Sequence, residues 1–133
     1  MLFARLARRR QAFYLESVMS TNAKAYYENN AAAMKPVRAM MPDLLKGFGG
    51  LHQAAMKSGA LTVLEKELMA LAIGLAVRCE NCMYAHIQAA LHAGATREQI
   101  LESAGVAVLM QGGPTYTYLP RVIEAIDALA PQL

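Results

Sequence analysis

The sequence predicts an all-α fold, and three observations carry that expectation. No stretch alternates β-branched and polar residues in the way a strand does. Ala, Leu, Met, Gln and Glu, which lose little on entering a helix, dominate the chain. Thr-x-x-Glu and Thr-x-x-Gln spacings at Thr62/Glu65 and Thr96/Gln99 have the form of capping boxes, each marking a helix start. About six helices in one compact domain are expected, since 133 residues suit a single core.

Taken in order, residues 1–18 read as an N-terminal extension, because Met19-Ser20 could also serve as a start, and residues 19–133 as the single domain. That first segment has the composition of an amphipathic helix or a frayed tail; a basic targeting peptide is the other reading. Pro36, Pro42, Pro114 and Pro120 punctuate the chain, with Pro42 suited to the first turn of a helix over 42–57. Gly47, Gly49 and Gly50 lie inside that helix and predict either close packing or a break near Phe48. The next helix opens at Thr62, with Glu65 and Glu67 as favourable charges near its N-terminus. Its continuation over 68–77 is apolar on every side, which places it inside the domain or an assembly. Polar residues 78–81 interrupt the run, and a helix over 79–93 ends at Gly94 as a cap. A further helix runs from Thr96 to Met110 or Gln111, where Gly112-Gly113-Pro114 stops it, and a last one covers 118–130.

Composition narrows the function classes. Hydrophobic residues make up 56% and charged residues 17%. That is more apolar than a small monomer needs, so self-association is expected. No apolar run reaches the roughly 18 residues of a membrane span. The N-terminal arginines break up any signal-peptide core, so a cytoplasmic protein with no membrane partner is expected. The formal charge of +3 sits wholly in residues 1–18, which hold four Arg and one Glu; the remainder carries nine Lys and Arg against nine Asp and Glu. Without a basic stripe, no nucleic-acid partner is expected.

The chemistry concentrates in Cys79-Glu80-Asn81-Cys82-Met83-Tyr84-Ala85-His86. At 3.6 residues per turn, Cys79, Cys82 and His86 fall within an arc of about 60°. Cysteines three apart can close a disulfide, and a helix N-terminus favours the thiolate. His86, one turn beyond Cys82, could take its proton. Two other readings stand beside this one. Buried cysteine can serve as a small hydrophobe. Zinc could take two Cys and one His, but a structural site needs a fourth ligand, which only Glu67 or His52 could supply.

From Glu67 through the C-x-x-C-x-x-x-H motif to Ala93-Gly94-Ala95-Thr96-Arg97-Glu98-Gln99-Ile100, the chain resembles the carboxymuconolactone decarboxylase superfamily on its alkylhydroperoxidase-D-like branch. The resemblance spans roughly residues 36–130. Decarboxylases of the superfamily lack the cysteine pair, so Cys79 and Cys82 favour the redox branch.

The resemblance implies a thiol-dependent peroxidase or disulfide oxidoreductase that needs no bound cofactor and no metal. Cys82 would attack the peroxide, Cys79 would resolve the resulting sulfenic acid into a disulfide, and Glu67 with His86 would relay the proton. Its partners would be a hydroperoxide or disulfide substrate, an external dithiol reductant, and copies of itself in a trimer or hexamer. Asn81 departs from the pattern, because alkylhydroperoxidase D proper has a histidine there; the relay would rest on Glu67 and His86 alone. A decarboxylase-like activity and a non-catalytic metal-binding or redox-sensing module are the alternatives. Among the remaining residues, His92 reads as a surface residue stabilising a helix end. Met40, Met41, Met56, Met69 and Met110 read as core fillers. Tyr84, Tyr116 and Tyr118 read as packing residues that could also line a pocket mouth.

Overall fold

The structure, a computed structural model, describes residues 22–130. The segment 1–18 lies outside them. Among the described residues the chain is helical throughout, with no strand: α1 (Asn22–Met40), α2 (Pro42–Met56), α3 (Val63–Ala76), α4 (Glu80–His92), α5 (Arg97–Gln111), the single turn α6 (Gly113–Tyr116) and α7 (Leu119–Leu129). Both predicted capping boxes are formed: Thr62 and Thr96 each accept the N–H of the residue three on, and Glu65 and Gln99 reach back to the cap N–H. The capping contact holds the exposed Glu65 carboxyl below its ordinary range, the backbone N–H of Thr62 being the first cause.

Helix α1 was not legible from the sequence. Its Asn-, Lys- and Ala-rich stretch lacks an apolar stripe, and it runs through Pro36, which was expected to interrupt it. Tertiary contacts hold it instead. Ala23 is buried, and Tyr26 and Tyr27 stack edge to face before packing on the core. The Tyr27 hydroxyl, its ionisation pushed up by burial and by Tyr26, donates to the Tyr84 carbonyl at 2.7 Å.

The core lies between α3, α4, α5 and α7. Leu71 and Leu75 of α3, Met83 and Ile87 of α4, Ile100 and Ala104 of α5, and Val122 and Ile126 of α7 are fully enclosed. Each large aliphatic among them contributes roughly 2 kcal/mol by leaving water. The Ser103 hydroxyl donates to the Leu68 carbonyl at 2.7 Å, fixing α5 beside α3, and Arg97 pairs with Asp127 to join α5 to α7.

Two expectations are corrected. The glycines of α2 mark neither close packing nor a break: the helix is continuous, and a Cβ at Gly47, Gly49 or Gly50 would meet nothing within 4 Å. No α2 residue is buried, and Phe48 is 70% exposed. The methionines expected in the core are mostly outside it. Met40, Met41, Met69 and Met110 are exposed and Met56 is half-buried, whereas Met83 is the enclosed one. The four exposed ones lie on faces that no element among the described residues covers.

Helix α3 follows the same division. Leu71, Gly74 and Leu75 point inward, while Met69, Ile73 and Val77, four residues apart, form an exposed apolar stripe. No helix among the described residues is long and apolar enough to cross a membrane.

Candidate redox site

The site is built where α3 ends and α4 begins. Helix α3 closes with the N–H of Arg78 on the Leu75 carbonyl (3.1 Å) and the N–H of Cys79 on the Gly74 carbonyl (2.9 Å), the paired bonds of a Schellman cap. Helix α4 ends in the same way, Gly94 donating to Leu91 and Ala95 to Ala90. The residue between must be left-handed. At the end of α4 it is Gly94, with φ +92°, whereas at the site it is Arg78, with φ +57°. A side chain in that region costs about 1 kcal/mol relative to glycine.

This reversal delivers Cys79 to the N-cap of α4 in an extended conformation, and Cys82 to the third helical position. The two are joined in a disulfide with Cα atoms 5.2 Å apart, and the Cys82 N–H donates to the Cys79 sulfur at 3.3 Å. Cys79 therefore occupies the position where a helix presents its unpaired N–H groups and the positive end of its dipole. The predicted first-turn placement holds, with Cys79 capping the helix and Glu80 beginning it.

Gly74 makes the approach of α4 to α3 possible. A Cβ there would sit 3.1 Å from the Cys82 Cβ and 3.5 Å from the Met83 nitrogen. The sequence reading passed over this glycine, although a lone glycine in an apolar helix signals close approach.

One turn along α4, His86 Nδ1 lies 2.7 Å from Glu67 Oε2. Glu67 is not a dipole partner in the first turn. It is the fifth residue of α3 and is 5% exposed, a carboxyl carried inside the domain with the half-buried imidazole as its partner. With Glu67 ionised, Nδ1–H donates to it and Nε2 keeps its lone pair to take up a proton. Cys79, Cys82, His86 and Glu67 are thus gathered on the facing sides of two adjoining helices.

Tyr84 belongs to the support. Buried, it donates through its hydroxyl to Glu80 Oε1 at 2.6 Å, and burial followed by that bond pushes its ionisation well above the ordinary tyrosine range. Arg121 of α7 lies 3.6 Å from the same Glu80 oxygen and stacks on Tyr118. Nearby Glu124 is raised above the ordinary carboxyl range by burial. Tyr116 is exposed and, with Leu119, Pro120 and Ile123, lines an open groove of about 230 Å³ that includes none of the four site residues. His52 and His92 are exposed on α2 and α4, and Asn81 is exposed beside the disulfide.

Residues 42–125 match the Carboxymuconolactone decarboxylase family. An uncharacterized protein of Cupriavidus necator is 35% identical over 88 residues, 66% of this chain and 78% of that protein. The alkyl hydroperoxide reductase AhpD of Corynebacterium kroppenstedtii is 27% identical over 76% of this chain and 53% of its own length. Among solved structures, a carboxymuconolactone decarboxylase family protein of Legionella pneumophila superposes with a TM-score of 0.78 at 36% identity, covering 83% of this chain and 98% of that one. A Thermotoga maritima family protein, described as possibly involved in antioxidative response, gives 0.62 at 30% identity over 65% of this chain and 90% of its own.

Proposed function

This chain belongs to the carboxymuconolactone decarboxylase family, and from that premise we propose that it is a dithiol-dependent peroxidase or disulfide oxidoreductase working through Cys79 and Cys82. The observation that carries the reading is the disulfide at the N-terminus of α4, set on the same helix as a histidine held by a buried glutamate. A purely structural disulfide between residues three apart closes too small a loop to restrict the unfolded chain much, and it has no need of a buried acid–base pair. The similarity to AhpD and to a protein described in antioxidative terms supports the same direction.

The cycle has three steps. The Cys82 thiol, its proton taken toward His86, attacks the peroxide; one oxygen passes to sulfur, leaving a sulfenic acid and an alcohol or water. The Cys79 thiol then condenses with it, forming the disulfide and expelling water. In the third step an external dithiol attacks Cys82, and Cys79 departs as a thiolate into the N–H groups of α4, where an anion is best received. The second thiol of the reductant releases Cys82, so two electrons and two protons pass from reductant to protein.

We further propose that the working form is a homo-oligomer, supported by the apolar faces of α2 and α3 that nothing among the described residues covers. The test of the activity is peroxide consumption across a panel of dithiols, with the oxidised protein followed by mass spectrometry. Dithiol-dependent loss of peroxide, with a disulfide between Cys79 and Cys82, is expected. An absence of turnover with every dithiol and peroxide tried would contradict the reading.

A further inference from the structure

The two Schellman caps offer an internal comparison. They have the same hydrogen bonds, and one uses the glycine that the geometry favours while the other uses Arg78. The strained side chain is the one at the redox site, immediately before Cys79. It is exposed, and it makes no ion pair among the described residues. The acidic neighbour Glu80 is engaged by the Tyr84 hydroxyl and faces Arg121, so it has its own partners at the start of α4. Arg78 thus sets a cation next in sequence to Cys79, at a helix N-terminus whose free N–H groups also favour an anion, while the body of the chain beyond residue 18 is formally neutral.

We propose that Arg78 is a specificity-determining residue that favours a thiol reductant carrying a carboxylate or a comparable anionic group near its sulfur. This rests on the reading above that an external thiol reduces the disulfide. The guanidinium offers paired N–H donors to a carboxylate, a geometry a lysine would match only as a point charge. The chemistry at sulfur is unchanged: two thiolates convert the protein disulfide to two protein thiolates, and are themselves joined as a disulfide.

The test is the rate at which the oxidised protein is reduced by excess 3-mercaptopropionate and, separately, by its neutral amide, read by alkylation of the released cysteines and mass spectrometry. Peroxide plays no part, so this measurement stands apart from the peroxidase assay. For each thiol the rate in native protein is divided by the rate in Arg78→Gly, which cancels the different acidities of the two thiols. Glycine also suits the left-handed backbone, so the variant is expected to fold. The ratio should be about threefold larger for the carboxylate than for the amide, the size of an exposed ion pair, and should fall toward equality at high salt. Arg78→Lys should retain part of the preference. Equal ratios for the two thiols at low salt would overturn the proposal, as would a carboxylate preference that salt leaves unchanged.

Discussion

A carboxyl such as Glu67, 5% exposed inside an apolar helix, is tolerated because His86 meets it at 2.7 Å. The two partners are not equivalent. Replacing His86 by alanine strands a buried acid, whereas Glu67→Gln keeps a neutral group that can still hydrogen-bond to the ring. We expect His86→Ala to lose about 2 kcal/mol in urea denaturation and Glu67→Gln clearly less. Both should slow peroxide turnover by about a hundredfold or more if the pair moves the proton. Equal stability losses would show that leaving the carboxyl without its histidine costs no more than replacing it by an amide. Gly74 is tested by its size: alanine brings about 1 kcal/mol of helix propensity, against a contact at 3.1 Å from the Cys82 Cβ with backbone atoms close behind. Displacing the start of α4 is expected to cost more than that gain. Gly74→Ala should therefore lower the melting temperature and alter the rate of disulfide reduction.

At the scale of elements, helix α2 is the outlier. It has three glycines, no buried residue, and too short a length to be stable alone in water. Its C-terminal end is held from outside: Lys66 of α3 donates to the carbonyls of Ala55 and Lys57 at 2.8 and 2.7 Å. Lys66→Met removes both bonds while keeping the aliphatic stem. Amide exchange in α2 should then quicken by roughly fivefold, equivalent to about 1 kcal/mol, while the α3 and α4 amides stay protected. Uniform quickening across all three would mean that α2 is not a separable unit. The helices announced by local chemistry were legible in the sequence: Thr62 and Thr96 begin two of them, Gly94 ends another, and Pro42 sets the start of α2. Helix α1 was hidden because long-range contacts from Tyr26 and Tyr27 hold it, and these leave no local pattern. The cysteines and His86 could be placed on one face by spacing alone. Glu67, nineteen residues from His86, could be joined to it only through a family resemblance, and Arg78 was hidden because a left-handed arginine has no sequence signature.

At the scale of the whole molecule, the described residues leave much apolar surface uncovered. Leu44, Phe48 and Leu51 on α2, Met69, Ile73 and Val77 on α3, and Val106, Leu109 and Met110 on α5 are all exposed. Helix α3, apolar all round, is expected inside the domain or an assembly; the described residues of one chain cover only its inner side, and a second copy is what we propose to complete it. Exposed large apolar groups in such number mark an interface more often than a free surface. Light scattering at micromolar concentration should give a mass above 14.4 kDa, and Phe48→Asp with Leu51→Asp should lower it. A monomer mass for the native chain would remove the oligomer from the account.

The central claim is that Cys82 meets the oxidant and Cys79 resolves it, and trapping the intermediate tests this most directly. In Cys79→Ser protein given one equivalent of hydroperoxide, a dimedone-type probe should label Cys82, because the sulfenic acid has lost its resolving thiol. Cys82→Ser protein should consume no peroxide and carry no label. A label on Cys79 in the Cys82→Ser protein, with peroxide still consumed, would reverse the two roles and contradict the account.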